Sequence, residues 1–226
     1  MYKAEAIKFA AGEKFGKVSG LLILPKDVQA LLVLAHGAGA GMRHKFMEET
    51  ATKLADHSVG TLRYQFPYME KETKRPDSAA VLTATVRAAV AAAMERAPGV
   101  PLFAGGKSMG GRMTSLAAAQ APLDGVRGLI YLGFPLHAAG KPSADRADHL
   151  FGIKLPMLFL QGSRDTLADL KLLKPLCARL GKRVELFVIE GGDHSFHLLK
   201  SSGRSDAQAL DEAARKAASW ISQLVA

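Results

Sequence analysis

A serine framed by glycines is the strongest chemical signal in the chain. Gly105-Gly106-Lys107-Ser108-Met109-Gly110-Gly111 follows the apolar run Val100–Ala104 and opens a helical stretch. In the pattern Gly106-x-Ser108-x-Gly110, a sharp strand-to-helix turn forces the serine into a strained backbone conformation. Any side chain two residues to either side would collide with the neighbouring strand or helix. The hydroxyl then projects above the sheet, and the Met109 amide points into the same space. A glycine-rich turn between strand and helix can instead bind phosphate. A Walker-type loop, however, needs a glycine where Pro101 stands, and the segment has no Gly-x-Gly-x-x-Gly.

A second loop complements the first. The apolar run Ala30–Ala35 ends in His36-Gly37-Ala38-Gly39-Ala40-Gly41. Alternating glycines leave backbone amides unshielded, as an oxyanion hole requires, and Ala38 is the natural second donor opposite Met109. A plain flexible connector is the competing reading. His36 is expected to pin this loop rather than act as a base. Further on, Gly162-Ser163-Arg164-Asp165 places a carboxylate just past the run Pro156–Gln161. Glu190-Gly191-Gly192-Asp193-His194-Ser195-Phe196 then places an imidazole just past Val184–Ile189. Ser108, Asp165 and His194 thus follow in the order Ser, Asp, His, one of the chain orders in which a nucleophile, acid and base triad occurs. Asp169 and Asp193 are rivals for the acid. Asp169 falls in a first helical turn, where a carboxylate favours the dipole. Asp193 adjoins His194 in sequence, and neighbours in a tight turn rarely face each other.

Those residues need elements to hold them. Short β-rich runs alternate with longer helical stretches, the signature of an α/β sheet with both faces covered. Strands are expected at Gly16–Leu24, Ala30–Ala35, Val59–Tyr64, Val100–Ala104, Gly128–Gly133, Pro156–Gln161 and Val184–Ile189, about seven in all. Most of the later runs are continuously apolar, as parallel strands buried on both faces are. The first candidate could extend back toward Glu5 and pair antiparallel at the sheet edge. Helices are expected over Phe46–His57, Ser78–Ala97, Met109–Gln120, Leu167–Leu180 and Asp206–Val225, with a kink or break at Pro175. The last helix carries Ser205 and Gln208 as a capping box. It presents Leu210, Ala213, Ala214, Ala217, Ile221 and Leu224 as one apolar face. Trp220 is read as a core or edge residue, and Cys177, among leucines, as a buried structural thiol.

Composition bounds the rest. The 226 residues are 48% hydrophobic and 23% charged, which excludes a disordered or collagen-like chain and fits one domain over residues 1–226. Cys177 is the single cysteine, so a disulfide-stapled domain is excluded. Lys3, Glu5, Lys8, Glu13, Lys14 and Lys17 interrupt any apolar stretch suited to a secretion signal, and no segment is expected to span a membrane. A cytoplasmic location is the expectation. The formal charge of +9 raises the question of nucleic acid, but basic residues are scattered and the densest groups are only Lys71–Lys74–Arg75 and Lys182–Arg183. No specific nucleic-acid partner is expected. No histidine cluster has metal-ligand spacing, and neither metal nor cofactor is expected.

The matching stretches run through most of the chain. They are His36-Gly-Ala-Gly-Ala-Gly-Met-Arg-His-Lys-Phe-Met47, Arg63-Tyr-Gln-Phe-Pro-Tyr68, Gly106-Lys-Ser-Met-Gly-Gly-Arg112, Gly133-Phe-Pro-Leu-His137, Gln161-Gly-Ser-Arg-Asp165 and Gly192-Asp-His-Ser-Phe196. With them the chain resembles an α/β-hydrolase of the dienelactone-hydrolase-like superfamily. More narrowly, it resembles the α/β-hydrolase-like group that includes a testis-expressed protein and a subunit of the NSL chromatin complex. Many relatives carry Pro-Pro where this chain has Ala138-Ala139. The resemblance implies an α/β-hydrolase fold with a mostly parallel central sheet, and Ser108 as nucleophile, Asp165 as acid and His194 as base. It leaves the substrate open, and some relatives act as interaction scaffolds. The segment Phe134 to Leu155 is too short for a lid domain, so an open site for a small acyl substrate is expected. Phe134, His137 and either Phe46 or Tyr68 are its expected borders. Lys107, Arg112 and Arg43 are read either as a preference for an anionic substrate or as surface and helix-end charges.

Overall fold

The computed structural model describes residues 2–12, 14–73 and 75–225; Glu13 and Lys74, counted above among the charges, lie outside them. Eight strands form one sheet: β1 Glu5–Ala10, β2 Lys17–Ile23, β3 Ala30–Ala35, β4 Val59–Tyr64, β5 Leu102–Lys107, β6 Val126–Leu132, β7 Met157–Gly162 and β8 Val184–Ile189. Their order is β1-β2-β4-β3-β5-β6-β7-β8. β2 pairs antiparallel with both β1 and β4, and every other pairing is parallel. The sheet thus has one strand more than the seven expected. The residues from Glu5 do pair antiparallel at the sheet edge, as expected, but as a separate strand rather than as an extension of the first.

Among the described residues five α-helices lie between these strands, α1 Lys45–Asp56, α2 Pro67–Glu70, α3 Ala79–Arg96, α4 Met109–Gln120 and α5 Leu170–Leu180, and a sixth, α6 Asp206–Val225, follows β8. Alternate residues of the central strands feed two cores. Leu31, Val33 and Ala35 of β3 join Tyr64, Val86, Met113, Tyr131, Phe159 and Leu173 on one face. Ala30, Leu32 and Leu34 join Met47, Leu54, Phe103, Ile130, Leu210 and Ile221 on the other. This period-two sorting is what a strand's alternating side chains produce when both faces are covered.

Local choices explain the helices. Ser205 and Gln208 cap α6 reciprocally: the Gln208 amide donates to Ser205 Oγ at 3.2 Å and the Ser205 amide to Gln208 Oε1 at 2.8 Å. Burial of Leu210, Trp220 and Ile221 on that helix contributes about 2 kcal/mol per side chain, against about 1 kcal/mol for the cap. Packing therefore fixes α6. Trp220 meets Phe103 edge-on at 5.9 Å. A side chain at Gly128 would strike the indole, 2.7 Å from its nearest atom. Of the kink or break expected at Pro175, the break does not occur: α5 runs through it from Leu170 to Leu180. Pro175 stands on the exposed side, and the only backbone bond it removes is the one to Lys171. Cys177 is buried, and burial pushes its thiol up to about 12.

The segment after β6 runs through a 3-10 helix, Asp145–Gly152, which packs onto α4. Ala147, Leu150 and Ile153 enter the core, and His149 Nε2 lies 2.7 Å from Ser115 Oγ. Among the described residues no helix is long and apolar enough to cross a membrane.

Candidate active site

Ser108 sits between β5 and α4 at φ 51° and ψ −118°. This left-handed region costs a non-glycine residue on the order of 1–3 kcal/mol, and the surroundings must enforce it. They do so because glycines allow the chain to come close on every side. A Cβ at Gly106 or at Gly110 would lie 2.5 Å from the Ala35 carbonyl oxygen, and one at Gly111 would lie 2.7 Å from the Gly106 oxygen. The Ser108 amide is tied to β6 through the Leu132 carbonyl at 3.1 Å. β5 extends two residues beyond Gly105, so the strand itself delivers the serine to the turn.

The two turns that follow β7 and β8 are built as one unit. Gly162 ends β7, and a side chain there would overlap the carbonyl oxygens of Gly192 and Asp193. The Arg164 amide donates to the Gly192 carbonyl at 2.8 Å and the Ser163 amide to the Ile189 carbonyl at 3.1 Å. Ser163 Oγ donates to Glu190 at 2.9 Å. Asp193 stays within its own turn, where Oδ1 accepts from the amides of Ser195 at 2.7 Å and His197 at 2.9 Å. Asp169 caps α5 by accepting from the Lys171 amide at 2.8 Å. The carboxylate that faces His194 is that of Asp165. Its Oδ2 lies 2.7 Å from His194 Nδ1, and His194 Nε2 lies 2.8 Å from Ser108 Oγ. The Asp165 side chain is wholly buried and the imidazole is 24% exposed. A carboxylate only accepts, so Nδ1 carries the ring proton and Nε2 is left to accept from the hydroxyl.

The glycine loop after β3 is clamped from beneath by the segment from Arg63 to Tyr68. The Gly39 amide donates to Tyr68 Oη at 3.0 Å, and the Met42 amide donates to Gln65 Oε1 at 2.8 Å. Arg63 donates to the Met42 carbonyl at 3.1 Å. His36 is wholly buried. Its Nδ1 donates to the Gly37 carbonyl at 2.7 Å, and its Nε2 accepts from the Phe66 amide at 3.2 Å. Burial holds its pKa near 4, so the ring stays neutral and keeps both bonds. The amides of Ala38 and Met109, between these anchors and at the start of α4, donate to no acceptor among the described residues.

Residues 28–222 match the family described as "Alpha/beta hydrolase domain". The chain belongs to that alpha/beta hydrolase family. Solved structures share the fold. A dienelactone hydrolase from Anabaena variabilis ATCC 29413 is 20% identical, with 99% of this chain and 98% of that one covered at a TM-score of 0.77. An a/b serine hydrolase without lid from Xanthomonas campestris is also 20% identical, covering 95% and 94% at 0.71. An alpha-beta serine hydrolase homologue from Coxiella burnetii is 19% identical, covering 96% and 98% at 0.75. The narrower likeness to the group with the testis-expressed protein remains one of sequence motifs.

In this alpha/beta hydrolase a cavity of about 310 Å³ opens beside Ser108, walled by the glycine loop, Phe46, Met47, Lys107, Leu167 and His194. Phe46 borders it; Phe134, His137 and Tyr68 do not. Phe134 is fully buried and packs on Tyr131 and Phe159. His137 is buried, with Nε2 accepting from the Asp169 amide at 2.9 Å and Nδ1 donating to the Ala138 carbonyl at 2.9 Å. Tyr68 holds the glycine loop from behind. Of the expected borders, Phe134, His137 and either Phe46 or Tyr68, the cavity lining includes Phe46, while the side chains of the other three hold backbone or core. Arg43 is exposed, and neither it nor Arg112 lines the cavity. The residue that sequence reasoning missed is Gln161. It is fully buried at the end of β7, donates through Nε2 to Asp165 Oδ2, and accepts from the Phe134 amide at 2.9 Å. A polar residue closing a strand buried on both faces was the available signal, because such a group needs partners.

Proposed function

We propose that the chain is a serine hydrolase that cleaves a small carboxylic ester or thioester through an acyl-enzyme. The observation that carries this reading is the unbroken relay from Ser108 Oγ to His194 Nε2 at 2.8 Å and from His194 Nδ1 to Asp165 Oδ2 at 2.7 Å. His194 takes the hydroxyl proton as Ser108 attacks the acyl carbonyl, and Asp165 keeps the imidazole in the right tautomer and stabilises the imidazolium. The tetrahedral oxyanion forms between the free amides of Ala38 and Met109, each worth about 3 kcal/mol in related chemistry. Their anchors are set before substrate arrives, so little reorganisation is needed. His194 then returns the proton to the leaving group, and water resolves the acyl-enzyme with His194 again as base. Neither step calls on a metal or cofactor. The cavity of about 310 Å³ at the strand ends suits a small acyl group.

We further propose one domain over residues 1–226 acting in the cytoplasm. One continuous sheet and a single buried cysteine support this. The test is stopped-flow release of 4-nitrophenol from 4-nitrophenyl acetate. A burst equal to the enzyme concentration, followed by slower turnover, is expected. No release above the buffer rate from folded protein would overturn the reading in favour of a non-catalytic scaffold.

A further inference from the structure

Lys107, the last residue of β5, is an unusual residue to find next to the serine that the strand delivers. It is only 7% exposed, yet it lines the cavity beside Ser108. Its Nζ donates to the His194 carbonyl at 2.6 Å and lies 5.5 Å from the centroid of the Phe46 ring. Gly133 makes room for this arrangement, since a Cβ there would stand 2.8 Å from that carbonyl and 3.1 Å from Nζ. An ammonium has three donors, and among the described residues Nζ has the one acceptor. Asp165 and Asp193 favour its charged form from nearby, but among the described residues neither forms an ion pair or hydrogen bond with Nζ. No acidic or arginine side chain lines the cavity. A buried cation with unused donors beside a cavity that no acidic side chain lines is costly unless an anion completes it.

We propose that Lys107 is an anion-recognition residue of the acyl pocket, and that the substrate is an ester whose acyl group carries a carboxylate a few bonds from the scissile carbonyl. The inference rests on the serine hydrolase reading above. One lysine and no second cation match a single negative charge better than a phosphate dianion. A carboxylate on the acyl side would take the free Nζ donors while its carbonyl sits at Ser108. Burial, more than the opposing pull of Asp165 and Asp193, holds the lysine near 8, so the recognition also titrates.

The test compares 4-nitrophenyl hydrogen glutarate with 4-nitrophenyl pentanoate, esters of equal chain length and the same leaving group. The quantity read is the ratio of their kcat/KM values. The parent is expected to favour the hydrogen glutarate at least tenfold at pH 7. Lys107→Met is expected to cut that ratio at least tenfold, whatever loss both esters share. On the parent alone, the ratio should fall as pH rises from 7 to 9.5, because kcat/KM reports the free enzyme and the ammonium is lost through about pH 8. The groups facing Nζ are Asp165 on the turn after β7, Asp193 and His194 on the turn after β8, and His44 across the cavity. Their effects on the chemistry are common to both esters and cancel in the ratio. Fast hydrolysis of the pentanoate with no preference for the hydrogen glutarate would overturn this inference alone. So would an equal fall for both esters in Lys107→Met, because the lysine would then only hold the His194 turn. Release from neither ester would overturn the hydrolase reading itself. If Lys107→Met does not fold, the pH series on the parent decides.

Discussion

Ser108→Ala and His194→Ala should each lose ester hydrolysis by a factor on the order of 10⁴ to 10⁶ while melting within a few degrees of the parent. The size follows from how the three residues act as one unit: removing either the nucleophile or the base leaves only the oxyanion donors and binding. The intact fold follows from the local structure. Alanine at position 108 can hold the same φ of 51° that serine holds. The turn is enforced by Gly106, Gly110 and Gly111 packing on Ala35 and on each other, and none of these contacts uses the hydroxyl. At position 194 the bond from Lys107 goes to the backbone carbonyl, and alanine keeps it. Asp165 keeps the Leu167 amide at 2.8 Å and Gln161. Circular dichroism melts beside 4-nitrophenyl acetate kinetics check both halves. Retention of more than a tenth of the parent rate in Ser108→Ala would remove that serine from the chemistry.

Gly105→Ala should have the largest effect on stability. Gly105 pairs with Ile130 at the centre of the sheet, next to a register shift in the pairing of β5 with β6. A Cβ there would overlap the Ile130 carbonyl oxygen and stand 2.8 Å from its carbon and 3.1 Å from its nitrogen. These are backbone atoms of a buried strand, so no rotamer change relieves the clash; β5 and β6 must part. Separating central strands in a close-packed interior costs about 4 kcal/mol or more. A protein of this size is stable by only about 5–15 kcal/mol in total. The melting temperature should drop by roughly 8–16 °C, or the protein should fail to accumulate in soluble form. Gly152→Ala is the control, since nothing lies within 4 Å of the Cβ it would add. A Gly105→Ala variant melting as the parent does would mean the strands are not packed as described.

The chemistry was more legible in the sequence than its surroundings were. Ser108, Asp165 and His194 could be singled out because each follows an apolar strand and because glycines mark the turns that need close backbone approach. Asp165 was preferred because a helix start and a tight turn account for Asp169 and Asp193, and it is the carboxylate that lies against His194. Asp193 spends its oxygen on its own turn and Asp169 on a helix start, and each use is local enough to be guessed. The pocket border was legible only at Phe46. Phe134 follows a strand end directly, but Gly133 at φ 65° turns the chain, and the phenyl ring goes into the core. Tyr68 and His137 lie near the site in sequence logic, yet their polar atoms serve backbone amides.

Lys107 was read either as favouring an anionic substrate or as a surface charge, and its burial removes the surface reading. A lysine beside an exposed serine is ordinarily a solvated charge, and nothing local signals that the following turn will close over it. Only the Gly133 gap and the position of the His194 carbonyl, both distant in sequence, reveal that it is buried. The strand count failed for a similar reason. Gly16–Leu24 read as one strand that could extend back toward Glu5, and the separate edge strand is set apart where Gly12 and Gly16 take φ values of 138° and 78°.

The measurement that bears most directly on the proposed chemistry is the intact mass of the parent and of Ser108→Ala after exposure to a fluorophosphonate probe. Such probes phosphonylate a serine only when a neighbouring base activates it and an oxyanion hole receives the oxygen. The expected result is a single adduct on the parent and none on Ser108→Ala. A folded parent that takes up no probe, or a Ser108→Ala variant labelled as fully as the parent, would contradict Ser108 as the nucleophile.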